Sequence, residues 1–233
     1  MKNNRIMKAA GALLVLVLVT SCFVGSTFAK YTTTGTGTDS ARVAKFGVRI
    51  EANGSTFAKA YATDDQSVVG TIAESVVSSN DDKLVAPGTK GSMVSMTISG
   101  KPEVAVNVQY AATLTLNDKW KDAQGNFYCP LQIKVKTGDG NEVYYGLDYT
   151  NATLFAQAVQ DAISKANAKY EANTDLTTTA VTPAVSWEWA YEGAGAHTVA
   201  QTDEKDTYLG DQAAAGNAAE IQLTVQTTVT QID

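Results

Sequence analysis

From Val104 to Leu116 the apolar side chains take every even position: Val104, Val106, Val108, Tyr110, Ala112, Leu114 and Leu116. Asn107, Gln109, Thr113 and Thr115 stand between them. A period of two puts successive side chains on opposite faces of a strand, so this run has one face for a core and one for water. It is long for a single strand. Such a strand is expected to bend, or to cross from one sheet to another.

Shorter runs repeat the pattern. Ala44, Phe46, Val48 and Ile50 alternate with Lys45, Gly47 and Arg49. Asn53 and Gly54 form a hairpin-type turn signal, with Ser55 to Ala62 as the expected return strand. Val68 to Val77, Val94 to Ile98, and Leu131 to Val135 read as further strands. Gly138 to Asn141 closes a hairpin onto Val143 and Tyr145. Val185, Trp187, Trp189 and Tyr191 form an aromatic-rich strand face, and Ile221, Leu223, Val225 and Val229 a last stripe.

One segment changes period. Between Asn151 and Tyr170, Leu154, Phe155, Ala158, Val159, Ala162, Ile163 and Ala166 recur at helical spacing, with Thr150 or Asn151 as the cap. Gly193 to Ala219 reads as a long acidic Gly/Ala loop. Strands at this spacing predict an all-β chain, an antiparallel β-sandwich with one inserted amphipathic helix.

The N-terminus carries a different message. Lys2, Arg5 and Lys8 precede an apolar stretch from Ala9 to Val19, and Thr27 and Ala29 are small residues before Lys30. That is the three-part secretory pattern, with an apolar segment too short for a spanning helix. It predicts a signal peptide over residues 1–29, cut between Ala29 and Lys30, and a single domain over residues 30–233. Val19 to Cys22 also has the form of a lipobox, and the uncharged run Ala9 to Ala29 is the alternative of a retained anchor. The cut would remove three positive charges from a chain of formal charge -6. So acidic a product argues against nucleic acid or anionic membrane as a partner. Membrane contact is expected only through the signal segment before cleavage. Of the two cysteines, Cys22 and Cys129, only Cys129 would remain, which leaves no internal disulfide.

Catalytic motifs are scarce. His197 is the only histidine, and a zinc-protease helix needs two, one turn apart, with a glutamate. Glycine pairs at 35 and 37, 138 and 140, and 193 and 195 lack the third glycine of a phosphate loop. Asp203, Glu204, Asp206 and Asp211, and separately Asp139, Asn141 and Glu142, supply oxygen ligands of the type calcium takes, without EF-hand order. Trp187, Trp189 and Tyr191 are either a sugar platform or sandwich core. The expectation is a protein that is not an enzyme and has no cofactor.

The basic and apolar N-terminal segments, the stretch Gly25 to Thr38 (GSTFAKYTTTGTGT) and the strand Ala41 to Val48 resemble proteins with a SipW-type signal peptide, the TasA/camelysin matrix family of Gram-positive bacteria. Leu84 to Ser92 and the C-terminal strand Ile221 to Val229 are similar to that group as well. The resemblance implies a jelly-roll-like sandwich, processing by a signal peptidase of SipW type, and assembly into extracellular fibres of a biofilm matrix. Camelysins also carry a metallopeptidase claim, which this chain's single histidine does not match. The expected partner is a second copy of the chain, joined head to tail. The freed N-terminal arm, from Lys30 to about Ile50, would pair with an open sheet edge of the next subunit, with Phe46 and Val48 as the pocket-filling side chains. The expected location is the extracellular matrix or cell surface. The alternatives are a surface-held module binding glycan or calcium and, third, a secreted metallopeptidase.

Overall fold

The long alternation becomes strand β7 (Val106–Leu116). β7 pairs antiparallel along its whole length with the C-terminal strand β12 (Ile221–Gln231), from Ile221 opposite Leu116 to Gln231 opposite Val106. The expected crossing between sheets does not occur, because β12 matches β7 in length and keeps it in one sheet. Val106, Val108, Tyr110 and Leu114 face inward on β7, and Leu223, Val225, Thr227 and Val229 on β12.

The computed structural model describes residues 32–36, 41–42, 47–53, 57–62, 74–80, 82–191 and 196–232. All of them lie in one compact unit, Thr32–Asp233. The remaining strands are β1 (Thr32–Thr36), β2 (Ala41–Arg42), β3 (Arg49–Asn53), β4 (Ala60–Ala62), β5 (Glu74–Val77) and β6 (Lys90–Ser99). They continue with β8 (Leu131–Thr137), β9 (Gly140–Tyr145), β10 (Ala168–Tyr170) and β11 (Pro183–Trp189). One sheet has the order β1-β12-β7-β10, a second β2-β3-β6-β11-β8-β9, and β4 and β5 form a small third. Every pairing among the described strands is antiparallel. The inner rows of both large sheets enter one apolar core, with Ile50, Ile98, Leu131, Ile133 and Trp187 from the second sheet.

The β8–β9 hairpin forms as expected, with Gly138 at a φ of 59° in the turn. The hairpin expected at Asn53 and Gly54 does not form. β3 pairs with β2 and β6, and β4 turns to β5 instead. Local turn chemistry lost here to the wider ladder that β6 offers β3.

The expected helix is α1 (Ala152–Ser164). The Asn151 side chain accepts from the Leu154 N–H at 2.9 Å, and Phe155, Val159, Ala162 and Ile163 are buried. Leu154 is 52% exposed and stands outside the buried face. The helix stops at Ser164, short of Tyr170, because Ala168–Tyr170 is taken by β7 as strand β10. α2 (Leu176–Thr179) is a short addition. The acidic Gly/Ala loop proves to contain a helix, α3 (Val199–Ala214). Its period was hidden because, among the described side chains, its inward positions include Thr202 and Asp206 beside the apolar Leu209. The fold is therefore mostly strands in antiparallel sheets, with three helices among the described residues rather than one.

Candidate functional site

Two large sheets have four edges, and an uncovered edge offers unpaired N–H and C=O groups to another chain. The β7 side of the first sheet is closed in two ways. β10 pairs with Val106 to Val108. Beyond it, side chains replace a strand: Asn167 Oδ1 accepts from the Tyr110 N–H at 2.6 Å, and Gln160 Oε1 from the Leu114 N–H at 2.9 Å. At the far edge of the second sheet, β9 carries Glu142. Its carboxylate takes Lys165 Nζ at 2.7 Å and the Tyr144 hydroxyl. Lys165 leads and Tyr144 follows in holding the Glu142 carboxyl below its ordinary pKa. A charge on an edge strand discourages pairing with another chain.

The opposite side is built differently. The N-terminal segment supplies the edge strand of both sheets: β1 on β12, and β2 on β3. β1 also lies against β2 and β3, so this segment spans the gap between the sheets. β1 runs antiparallel to β12 with Thr32 opposite Thr230, Gly35 opposite Thr227 and Thr36 opposite Gln226. β12 has eleven residues and β1 has five, so Ile221 to Val225 has no strand on its outer side among the described residues. β2 has only two residues. A strand of the sequence TTTGT brings little apolar surface, so its hold on β12 is chiefly the ladder of backbone hydrogen bonds.

Of the sequence-derived site residues, Ala29, Lys30 and Phe46 lie outside the described residues. Val48 is 1% exposed and fills the core of its own chain beside Ile50. β3, which follows it, is fixed on β6 by five paired positions from Arg49 opposite Ser99 to Asn53 opposite Ser95. The sequence pointed to the arm. It did not point to β12 as the strand that receives it, because nothing in a Thr/Gln/Val alternation says which neighbours it will have.

The other candidates resolve into packing. Trp187 and Trp189 are buried, with Phe57 and Tyr61 against Trp187 and Trp120 beside Trp189. Only Tyr191 of that row is exposed, so no aromatic platform for a sugar forms there. Asp206 turns inward from α3, where its carboxylate accepts from the Tyr128 hydroxyl at 2.5 Å and the Trp189 indole N–H at 3.2 Å. Burial raises its pKa, Asp203 adds to the rise, and the two hydrogen bonds oppose it. The acidic residues of this segment thus sit on a helix and do not converge. No group of three His, Cys, Asp or Glu among the described residues is arranged to hold a metal ion.

A cavity of about 440 Å³ lies beside α3, lined by Phe127, Tyr128, Leu147, His197, Thr202 and Lys205. Its charged groups are engaged. His197 Nε2 lies 2.9 Å from Asp148 Oδ1, and Lys205 Nζ lies 3.0 Å from Asp122 Oδ2. Lys205 also sits 5.2 Å from the centre of the Tyr128 ring. No helix of the described residues is long and apolar enough to cross a membrane.

Comparison with known proteins adds no neighbour: no family model, no curated protein and no solved structure matches the chain.

Proposed function

We propose that this chain is an exported structural protein of TasA type, a jelly-roll-like sandwich that polymerises into extracellular fibres by exchanging its N-terminal segment between copies. The observation that carries this is the N-terminal side of the sandwich, where one segment forms the edge of both sheets and holds β12 by a five-residue ladder. The other edges are blunted by α1, by side-chain acceptors and by Glu142.

In the closed monomer the arm occupies its own chain's edge. In the fibre it occupies the same edge of the next copy, so the ladder given up within one chain is rebuilt between two. Val48 and Ile50 then fill a core in either state, their own or the neighbour's, and Phe46 belongs to the same donated segment. An attachment of this head-to-tail form does not close on itself and gives filaments. Before the signal peptidase cuts between Ala29 and Lys30, the arm is tethered to the membrane-bound segment and unable to reach a neighbour. The Thr/Gly composition suits an extended backbone that binds through main-chain groups.

The test compares protein beginning at Lys30 with protein lacking residues 30–42, followed by light scattering and electron microscopy. The first should form filaments as concentration rises and the second should remain monomeric. A synthetic peptide of residues 30–42 should bind the shortened protein and add to its thermal stability. Equal polymerisation of both forms would place the fibre contact elsewhere. Strictly monomeric behaviour of both, with a bound glycan or calcium ion, would favour a binding module.

A further inference from the structure

Thr227 stands in the inward row of β12 between Val225 and Val229. It is 0% exposed, and the two valines are 2% and 0% exposed. Its Oγ1 is buried without a hydrogen-bond partner, the only such side-chain atom among the described residues. On the β7 side it lies opposite Tyr110, whose hydroxyl is already given to the Val181 carbonyl at 3.0 Å. On the β1 side it lies opposite Gly35, a residue with no side-chain group to offer. A valine would have nearly the same shape and no unpaired hydroxyl, so the threonine costs stability in the closed state.

The position of that cost is informative. Thr227 falls inside the five-residue ladder that holds β1, which spans Gln226 to Thr230. β1 is the outermost strand on that side and lies against β2 and β3 across the gap between the sheets. When β1 leaves, water reaches the inward row of β12 at this point, and the hydroxyl recovers hydrogen bonds that it lacks under the arm. A valine there would recover nothing and would expose a further methyl group.

We propose that Thr227 is a release element for the N-terminal strand: its unpaired hydroxyl weakens the closed monomer within the arm's ladder and so favours freeing the arm for exchange with a second copy. The purpose of the release rests on the fibre reading above; the release itself is a property of the single chain. The flanking Val225 and Val229 keep the site apolar enough for the arm to close again.

The experiment uses the chain from Lys30 on, which contains the whole compact unit. Amide hydrogen exchange is measured under dilute, monomeric conditions for the wild type, Thr227→Val and Thr227→Ser. In Thr227→Val, exchange across Thr32 to Thr36 should slow by about fivefold to tenfold, the effect of removing one unsatisfied buried hydroxyl. Thr227→Ser keeps the hydroxyl and should show no slowing. Amides of the β8–β11 ladder report global unfolding and serve as the control. If they slow in Thr227→Val while the arm does not, the hydroxyl stays dry when the arm leaves and the proposal fails. It fails equally if neither slows, or if the serine variant slows like the valine. Filament growth is then followed at higher concentration. Slowed arm exchange with no filaments from any variant would leave the release role standing and overturn the fibre reading. Unchanged arm exchange with normal filaments would do the reverse.

Discussion

A Cβ on Gly100 would overlap the carbonyl oxygen of Gly47. Gly47 has a φ of 61° and Gly100 a φ of 122°. The two glycines sit where β3 begins on the end of β6, next to the Arg49 and Ser99 pair. They let the backbone of the N-terminal segment come close as it enters the second sheet. Gly100→Ala combines a left-handed φ with a backbone clash and should cost roughly 2–4 kcal/mol. Urea unfolding measures it, and a loss below about 0.5 kcal/mol, the range of ordinary surface changes, would mean the approach is looser than described.

Cys129 is completely buried, and that burial, against a hydrogen bond from Leu131, pushes its thiol up to about 12. Gly146 packs so tightly on it that a Cβ there would collide with the Cys129 carbonyl oxygen. A thiol that is both inaccessible and protonated does not react. The native protein at pH 8 should leave a disulfide-exchange reagent unconsumed over hours and react fully once denatured. Rapid native labelling would show that the segment Tyr128 to Leu131 opens.

Asp122 and Asp206 should give opposite responses to acid. Burial works to raise the Asp122 carboxyl, but the Lys205 ammonium and the groups of Asn126 outweigh it, and its pKa falls below the ordinary value. The unfolded chain then binds the proton more tightly than the folded one. Stability from Asp122 is present above the ordinary carboxylate pKa and is lost as pH falls through the lower, folded value. Asp206 is raised by burial, so its folded form binds the proton more tightly and gains stability as pH falls through the raised value toward the ordinary one. Asp122→Asn keeps an oxygen for the Gln124 and Asn126 N–H groups but loses the carboxylate oxygen that takes Lys205 Nζ, and should cost about 1–3 kcal/mol at pH 7. It should also flatten the acid loss of stability, whereas Asp206→Asn should steepen it. Thermal midpoints between pH 7 and pH 3 decide, and parallel curves for both variants would contradict these assignments.

Gly210 lies inside α3, and a Cβ there would meet nothing within 4 Å. Replacing an exposed helical glycine by alanine lowers the entropy of the unfolded chain without a steric cost. Gly210→Ala should raise stability by about 0.5–1 kcal/mol, read from denaturant midpoints at unchanged m-value. No gain would mean that this turn of α3 is frayed in the native state.

The clearest features in the sequence were those whose signal is local and apolar. β7, the β8–β9 hairpin, α1 with its Asn151 cap, and the stripe of β12 each contain their own pattern, and each forms where the pattern lies. α3 was hidden because Asp206 occupies an inward position, and an aspartate becomes a core-facing residue only when Tyr128 and Trp189 are there to donate to it. The aromatic row was ambiguous for a similar reason. Whether Trp187 and Trp189 face a sugar or a core depends on what covers them, and Phe57, Tyr61 and Trp120 arrive from distant parts of the chain.

The order of residues was enough for the strand content, the antiparallel class and the position of one capped helix. Those follow from side-chain period and turn residues, both properties of neighbours along the chain. It took the folded molecule to set which strands pair, that the N-terminal segment closes the edges of both sheets, and that Thr227 faces Gly35 across β12 and β1 with its hydroxyl unpaired. Alternation tells each strand which side chains to bury, but backbone hydrogen bonds are the same for every residue and name no partner. Partner choice is settled by the fit of whole strands in length and register, which exists only once the sheets have come together.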